Sequence, residues 1–398
     1  MRRKQEGLIA KLGFVYNEDN SGGMSELRWW LEDHIFEFRR VKSCDGVAWG
    51  DTRKKFESID PPNLAFEAMR FFNFNSLLLA VTAAHAATIS HSKSPAAVEN
   101  VTIFSPPSDY IVPRTLYARN VQLPNGDLLA TWENYSPEPP LVYFPIYRSK
   151  DYGKTWKEIS QVHDTANKLG LRYQPFLYYL PERIGSFKAG TLLLAGSSIP
   201  TDLSSTQIDL YASKDDGLTW KFVSHIAAGG EAVPNNGLTP VWEPFLLAHD
   251  GKLICYYSDQ RANTTHGQKM VHQVSTDLKK WGDVVDDVAY PTYTDRPGMP
   301  IVTKLPNGKY FYIYEYGSFF NTSSYSFPLY YRIASDPEDF LSAEHQKLIV
   351  SSGTKPTSSP YVVWTPYGGK KGNYHCQLGN AEHSLHQQEF GRGRMDRD

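Results

Sequence analysis

A chain of 398 residues with 41 Lys and Arg against 43 Asp and Glu has a formal net charge of −2 and a pI near 6.6, which leaves no basic excess to neutralise phosphates and argues against a nucleic-acid partner. Aromatic residues make up 14 % of the chain, with 25 Tyr and 9 Trp; that suits a β-rich protein whose rings pack in sheets or stack on sugar faces. Cys44, Cys255 and Cys376 have neither zinc-ligand spacing nor an evident pairing, so no metal site, cofactor or disulfide framework is assigned.

Residues 69–86, MRFFNFNSLLLAVTAAHA, join a Met-Arg start to an apolar run and to Ala84-His85-Ala86 as a small-x-small cleavage site, the pattern of a secretory signal. The apolar run is too short to span a bilayer, which takes about 20 residues. The expectation is that Met69 is the initiator, that residues 1–68 are an extension with no part in the fold, and that the protein is secreted with no membrane association. Glycosylation sequons at Asn100, Asn134, Asn263 and Asn321 agree with an extracellular glycoprotein.

From residue 87 to about 371 the chain repeats. SKDYGKTW at Ser149–Trp156 returns as SKDDGLTW at Ser213–Trp220, then more weakly as STDLKKW at Ser275–Trp281 and SDPEDF at Ser335–Phe340. Each unit opens with a short apolar strand: YARNVQL from Tyr117, YQPFLYYL from Tyr173, WEPFLLA from Trp242, MPIVTKL from Met299 and SPYVVWTP from Ser359. A glycine turn follows (PNGD, KAGT, HDGK, PNGK, YGGKKG), which is a hairpin signal. Second and third strands come next, and the third runs into the Ser-x-Asp turn. Units of roughly 60 residues with about four antiparallel strands read as propeller blades. In the repeated turn the Asp accepts backbone N–H bonds, the Gly takes positive φ, and the Trp wedges between sheets, so its job is structural.

The last stretch, residues 372–398, abandons this pattern for a polar, His- and Arg-rich run and is expected to be disordered. The repeats then account for four blades and the opening of a fifth. The fold class expected is an all-β propeller truncated after four to five blades, unstable or inactive for want of ring closure.

Residues at the starts of the innermost strands face a shared axis in a propeller. Glu243, between Trp242 and Pro244, is costly there unless paired or functional. Counting seven residues on from each turn glycine gives Glu133, Ser197, Ser258 and Glu315. Glu243 and Glu315, from adjacent blades, form the two-carboxylate apparatus of a glycosidase: one protonated donor and one ionised partner. The alternative is that arginines such as Arg119, Arg172, Arg261 or Arg296 neutralise them. Tyr117, Arg119, Trp132, Glu133, Trp242, Asp259 and Tyr316 are the candidate sugar contacts, with His266 and Gln268 behind them.

The turns resemble the Asp-box of the sialidase superfamily of β-propellers. TLYARNVQLPNGDLLATWENYSPEPP, PVWEPFLLAHDGKLICYYSDQR, THGQKMVHQVSTDLKKWG, DRPGMPIVTKLPNGKYFYIYEYG and SSPYVVWTPYGG together resemble glycoside hydrolase family 93, from about Ile111 to Gly369. The resemblance implies a six-bladed propeller and a secreted fungal exo-arabinanase that releases arabinobiose from the non-reducing end of linear α-1,5-L-arabinan. It also implies a retaining mechanism, with Glu243 as general acid/base and Glu315 as nucleophile. Retention calls for carboxyls about 5 to 5.5 Å apart. A monomer acting on plant cell-wall arabinan is expected. A sialidase-type exo-glycosidase and a non-catalytic carbohydrate-binding propeller are the alternatives.

Overall fold

The computed structural model describes residues 12–15, 27–31, 98–320, 324–349, 355–365, 373–378 and 381–386, and among them every regular element is a strand. Strands β1 (Leu12–Val15), β2 (Leu27–Leu31) and β3 (Val98–Phe104) form one antiparallel sheet. Then come four blades of four strands each. They are β4 (Thr115–Gln122), β5 (Leu128–Asn134), β6 (Phe144–Ser149) and β7 (Lys157–Val162); β8 (Leu171–Tyr179), β9 (Leu192–Ser198), β10 (Thr206–Ser213) and β11 (Lys221–Gly229); β12 (Val241–His249), β13 (Lys252–Asp259), β14 (Lys269–Ser275) and β15 (Val285–Val288); and β16 (Arg296–Lys304), β17 (Tyr310–Gly317), β18 (Leu329–Ala334) and β19 (Gln346–Lys347). A last sheet holds β20 (Tyr361–Thr365), β21 (Asn373–Leu378) and β22 (Ala381–His386).

The propeller and the repeat boundaries are as expected. Two segments differ. Residues before 69, expected to take no part in the fold, supply β1 and β2, which pair through β2 with β3. Residues after 372, expected to lack structure, supply β21 and β22; Leu378 opposite Ala381 leaves only Gly379-Asn380 between them. A two-residue Gly-Asn connection is a hairpin signal in its own right, hidden in the sequence by the polar residues around it. The signal-like stretch 69–86 lies outside the described residues.

Why middle strands lose the alternating pattern is visible in their burial. All seven residues of β5 and all seven of β9 are buried, because each blade is covered on both faces by neighbours and no face is left for water. Between blades the first strands run side by side, β4 by β8, β8 by β12, β12 by β16 and β16 by β20. These strands define the axis.

The Ser-x-Asp turns join the third strand of a blade to the fourth. Asp215 accepts from Thr219 N–H at 2.9 Å and from its hydroxyl at 2.6 Å, and Ser213 Oγ takes the Gly217 N–H at 2.9 Å. The first copy repeats this network through Asp151, Thr155, Ser149 and Gly153. Gly217 has φ of +86°, which a side chain there would strain. Trp220 Nε1 reaches Ser160 Oγ in β7, and Trp281 Nε1 reaches Ser224 Oγ in β11, so each turn staples its blade to the one before. Of the sequon asparagines, Asn134 is 3 % exposed. In the folded chain it offers no access to a glycan, which corrects the expectation at that sequon.

Candidate active site

The first strand of each of the four blades breaks its register at one homologous place. The shifts fall between Leu116 and Arg119, Tyr173 and Phe176, Trp242 and Phe245, and Gly298 and Ile301. At each break one residue is left-handed: Tyr117 at φ +54°, Gln174 at +53°, Glu243 at +61° and Met299 at +57°, with Ser359 at +47° just before β20. None is glycine. Such residues cost of order 1–3 kcal/mol each and persist where the surroundings force them, typically at functional sites. In four of the five a proline follows (Pro175, Pro244, Pro300, Pro360); it lacks the N–H that an unbroken ladder would use. A bulge re-aims a side chain, and here four bulges, with left-handed Ser359 just ahead of β20, lie around one axis.

The second strands complete the ring. Pairing sets Glu133 opposite Leu116, Ser197 opposite Tyr173, Ser258 opposite Trp242 and Glu315 opposite Gly298, so the residues found by counting from the turn glycine each lie beside a bulge. The contacts follow from that. Glu243 Oε2 accepts Met299 N–H at 2.6 Å and Ser258 Oγ–H at 2.8 Å. Glu315 Oε2 accepts Ser359 N–H at 3.1 Å and Ser358 Oγ–H at 3.3 Å. A Cβ added at Gly298 would sit 3.2 Å from Glu243 Oε2 and 2.8 Å from Gln268 Nε2, so the glycine is what admits the carboxylate.

Both carboxyls are pushed upward. Burial, and then the charge of Glu243, raises Glu315 to about 7; burial raises Glu243 against the pull of its Ser258 and Met299 donors. Both half-buried carboxyls are held toward their protonated forms, and the charge of Glu243 opposes ionisation of Glu315. Neither forms a salt bridge among the described residues. Arg172 pairs with Glu138 at 2.7 Å and Arg261 with Asp259 at 2.6 Å. Arg119 lies 3.9 Å over the Tyr117 ring, and Arg296 is held by the amides of Asn236, Gln260 and Gln268 at 2.8 to 2.9 Å. Arg296 still biases both glutamates at longer range, and Arg119 biases Glu243. The neutralising-arginine alternative therefore does not describe this pair.

Of the proposed sugar contacts, Tyr117, Arg119 and Glu133 join the ring; four do not. Trp132 is 0 % exposed, stacked on Phe104 at 5.3 Å and beside Tyr147 at 4.8 Å. Strand period explains it: Ala130 and Trp132 face the β3 side, while Glu133 faces the next blade. Tyr316 and Asp259 fail for the same reason, each one step beyond a ring residue. Tyr316 stacks on Tyr290 at 4.0 Å and donates to Asp295 Oδ2 at 2.6 Å. Asp259 receives Arg261 Nε and Nη2 on its carboxylate. Trp242 packs with Ile199, Ala232, Tyr173 and Leu203, its Nε1 on Gln260 Oε1 at 2.8 Å. Gln268 is a support, bridging Arg296 and the Pro297 carbonyl. His266 sits in its loop, bonded to Thr265 Oγ1 at 2.9 Å. Ser258, Ser358, Ser359 and Arg296 were not among the candidate contacts; the recurring x-Pro step at the strand starts was the available signal for Ser359.

A carboxyl raised in the folded state binds a proton that the unfolded chain has released, so its burial lowers stability as pH climbs from the ordinary 4.5 through about 7. Glu315→Gln removes that penalty and keeps an acceptor oxygen for Ser359 N–H. Calorimetry should find the variant more stable than the parent above about pH 7 by on the order of 3 kcal/mol, with the difference vanishing below about pH 4.5. Parallel stability curves would contradict a Glu315 carboxyl held up in the folded chain.

No protein-family model and no curated protein sequence matches the chain. Among solved structures, the α-L-arabinanase of Penicillium chrysogenum in complex with arabinobiose is 80 % identical, covers 71 % of this chain and 80 % of its own, and superposes with a TM-score of 0.70. The GH93 α-L-arabinofuranosidase of Fusarium graminearum with arabinobiose is 61 % identical over 70 % of this chain and 78 % of its own, with a TM-score of 0.69. A glutamate-to-alanine mutant of a Fusarium graminearum α-L-arabinofuranosidase, bound to an iminosugar inhibitor, is 58 % identical over 73 % of this chain and 81 % of its own, with a TM-score of 0.71. Identity at that level over about 70 % of the chain sets aside the sialidase and binding-module alternatives: the chain belongs to glycoside hydrolase family 93.

Proposed function

We propose that this glycoside hydrolase is a retaining exo-α-1,5-L-arabinanase that removes arabinobiose from the non-reducing end of linear arabinan. The observation that carries this reading is the pair Glu243 and Glu315, half-buried on adjacent blades at one axis, both raised by desolvation and neither paired with a cation among the described residues. The arabinobiose held by the Penicillium and Fusarium structures supports the sugar.

In the proposed cycle Glu243 starts protonated. Its Oε2 is anchored by Ser258 and Met299, so Oε1 carries the mobile proton. That proton passes to the glycosidic oxygen as the bond from the anomeric carbon to that oxygen breaks, and a Glu315 oxygen attacks the same carbon to form an ester. Protonating Glu243 removes the neighbouring charge that holds Glu315 up, which favours the carboxylate when it must attack. Water then enters; Glu243, now ionised, takes its proton as the hydroxyl displaces Glu315 from the anomeric carbon. Two displacements restore the original configuration. Export is part of the same proposal, supported by the signal-like residues 69–86.

The test is a time course on linear arabinan with products sized by chromatography. Arabinobiose as the dominant early product, with little loss of viscosity, is expected. A ladder of longer oligosaccharides from the first minutes, or no release at all, would overturn the reading.

A further inference from the structure

At each joint around the axis, an acceptor from one blade caps the bulge N–H of the next. Glu133 Oε1 accepts Gln174 N–H at 2.9 Å; Gln174 Oε1 accepts Glu243 N–H at 3.3 Å and Ser197 Oγ–H at 3.4 Å; Glu243 Oε2 accepts Met299 N–H. These are consecutive steps of one chain of contacts running from the first blade to the fourth. Its origin, Glu133, is 2 % exposed, and its second oxygen is taken by Tyr135 Oη–H at 2.7 Å. Both oxygens of this third axial carboxyl are thus committed to the protein and leave little for a sugar hydroxyl.

We infer that Glu133 is a positioning residue for Glu243: through Gln174 it fixes the bulge that aims the proton donor. The inference rests on the reading of Glu243 as general acid/base. The groups that face Glu133 are Tyr117 and Arg119 from β4, Tyr135 beside it in sequence, Gln174 from β8 and Glu243 from β12. Those that face Glu243 are Ser258 from β13, Arg296 and the Met299 N–H from β16, and Arg119, Tyr117 and Glu133 across the axis, with Glu315 from β17. Burial lifts Glu133 itself to about 7, so its charge is gained in the pH range where a proton donor must resist ionising. Removing a negative neighbour lets a carboxyl ionise at lower pH.

Glu133→Gln in the full chain tests this. On arabinan kcat should fall about tenfold with KM within about twofold, as expected of misaimed chemistry. The alkaline limb of the kcat profile should move about half a pH unit to lower pH. Gln174→Met, which breaks the relay one step later, should lower kcat likewise. A KM rise with kcat intact would make Glu133 a sugar contact, and a lower melting temperature with unchanged kinetics would make it merely structural; either overturns the inference. Carboxyl-carbon NMR titration of Glu243 in parent and variant reads the same coupling without turnover. A Glu243 that ionises at the same pH in both defeats the relay, whereas a shift in a chain that releases no sugar leaves the relay standing and defeats the proposed function. Should Glu133→Gln not fold, Tyr135→Phe removes only the Oε2 donor and should shift Glu243 the same way by less; no shift overturns the inference.

Discussion

Glu315→Gln is expected to cut kcat on linear arabinan by more than about 10³-fold while the chain remains folded. The amide cannot form the glycosyl ester, yet its oxygen can still accept Ser359 N–H and Ser358 Oγ–H, so the joint between the fourth blade and β20 is preserved. Glu315→Ala goes further: it opens the space in which an external anion can attack. Azide should then rescue the rate and give the glycosyl azide of inverted configuration, because a single displacement has replaced two. A variant that keeps more than about a tenth of the parent rate would remove Glu315 from the nucleophile role.

Glu243→Ala should lower kcat on arabinan by about 10² to 10⁴-fold, the range for loss of a general acid. Its defining feature is dependence on the leaving group: an aryl glycoside that departs without a proton should still form the ester at near-parent rate, and azide should give product of retained configuration. The alanine also strips the acceptor from Met299 N–H and Ser258 Oγ; buried donors left unpaired cost about 1–3 kcal/mol each. Glu243→Gln keeps the acceptor and loses only the proton. Comparing the two by initial rates and melting temperature therefore separates chemistry from support. Equal losses on arabinan and on the activated substrate would contradict an acid role.

The blades were legible because each repeats the same punctuation, a turn glycine and a Ser-x-Asp turn, at nearly constant spacing. Counting from the glycine found Glu133 and Glu315 because the hairpin fixes the register: once Gly126 or Gly308 is placed at φ near +89° or +85°, the opposing residue is determined. The same period of two told against Trp132, Asp259 and Tyr316, which sit one step off the ring residues and so face the packing between blades. Aromatic and acidic character made them attractive as sugar contacts, but residue type does not decide which face a side chain takes. What pattern could not supply was long-range. The capping of Glu243 by Met299 and of Glu315 by Ser359 joins positions 56 and 44 residues apart, and only the closing of successive blades around the axis brings them together. Strands β21 and β22 were missed for a different reason: their polar, His-rich residues show no apolar alternation, which hid a two-residue hairpin.

The central claim is that Glu243 and Glu315 act in succession on one anomeric carbon, and the most direct test is the configuration of product formed in the presence of methanol. Proton NMR of an arabinan digest in dilute methanol should show the methyl α-glycoside of arabinobiose, since a covalent glycosyl intermediate partitions between water and alcohol with retention. Formation of only the free sugar, released first as the β-anomer, would contradict it.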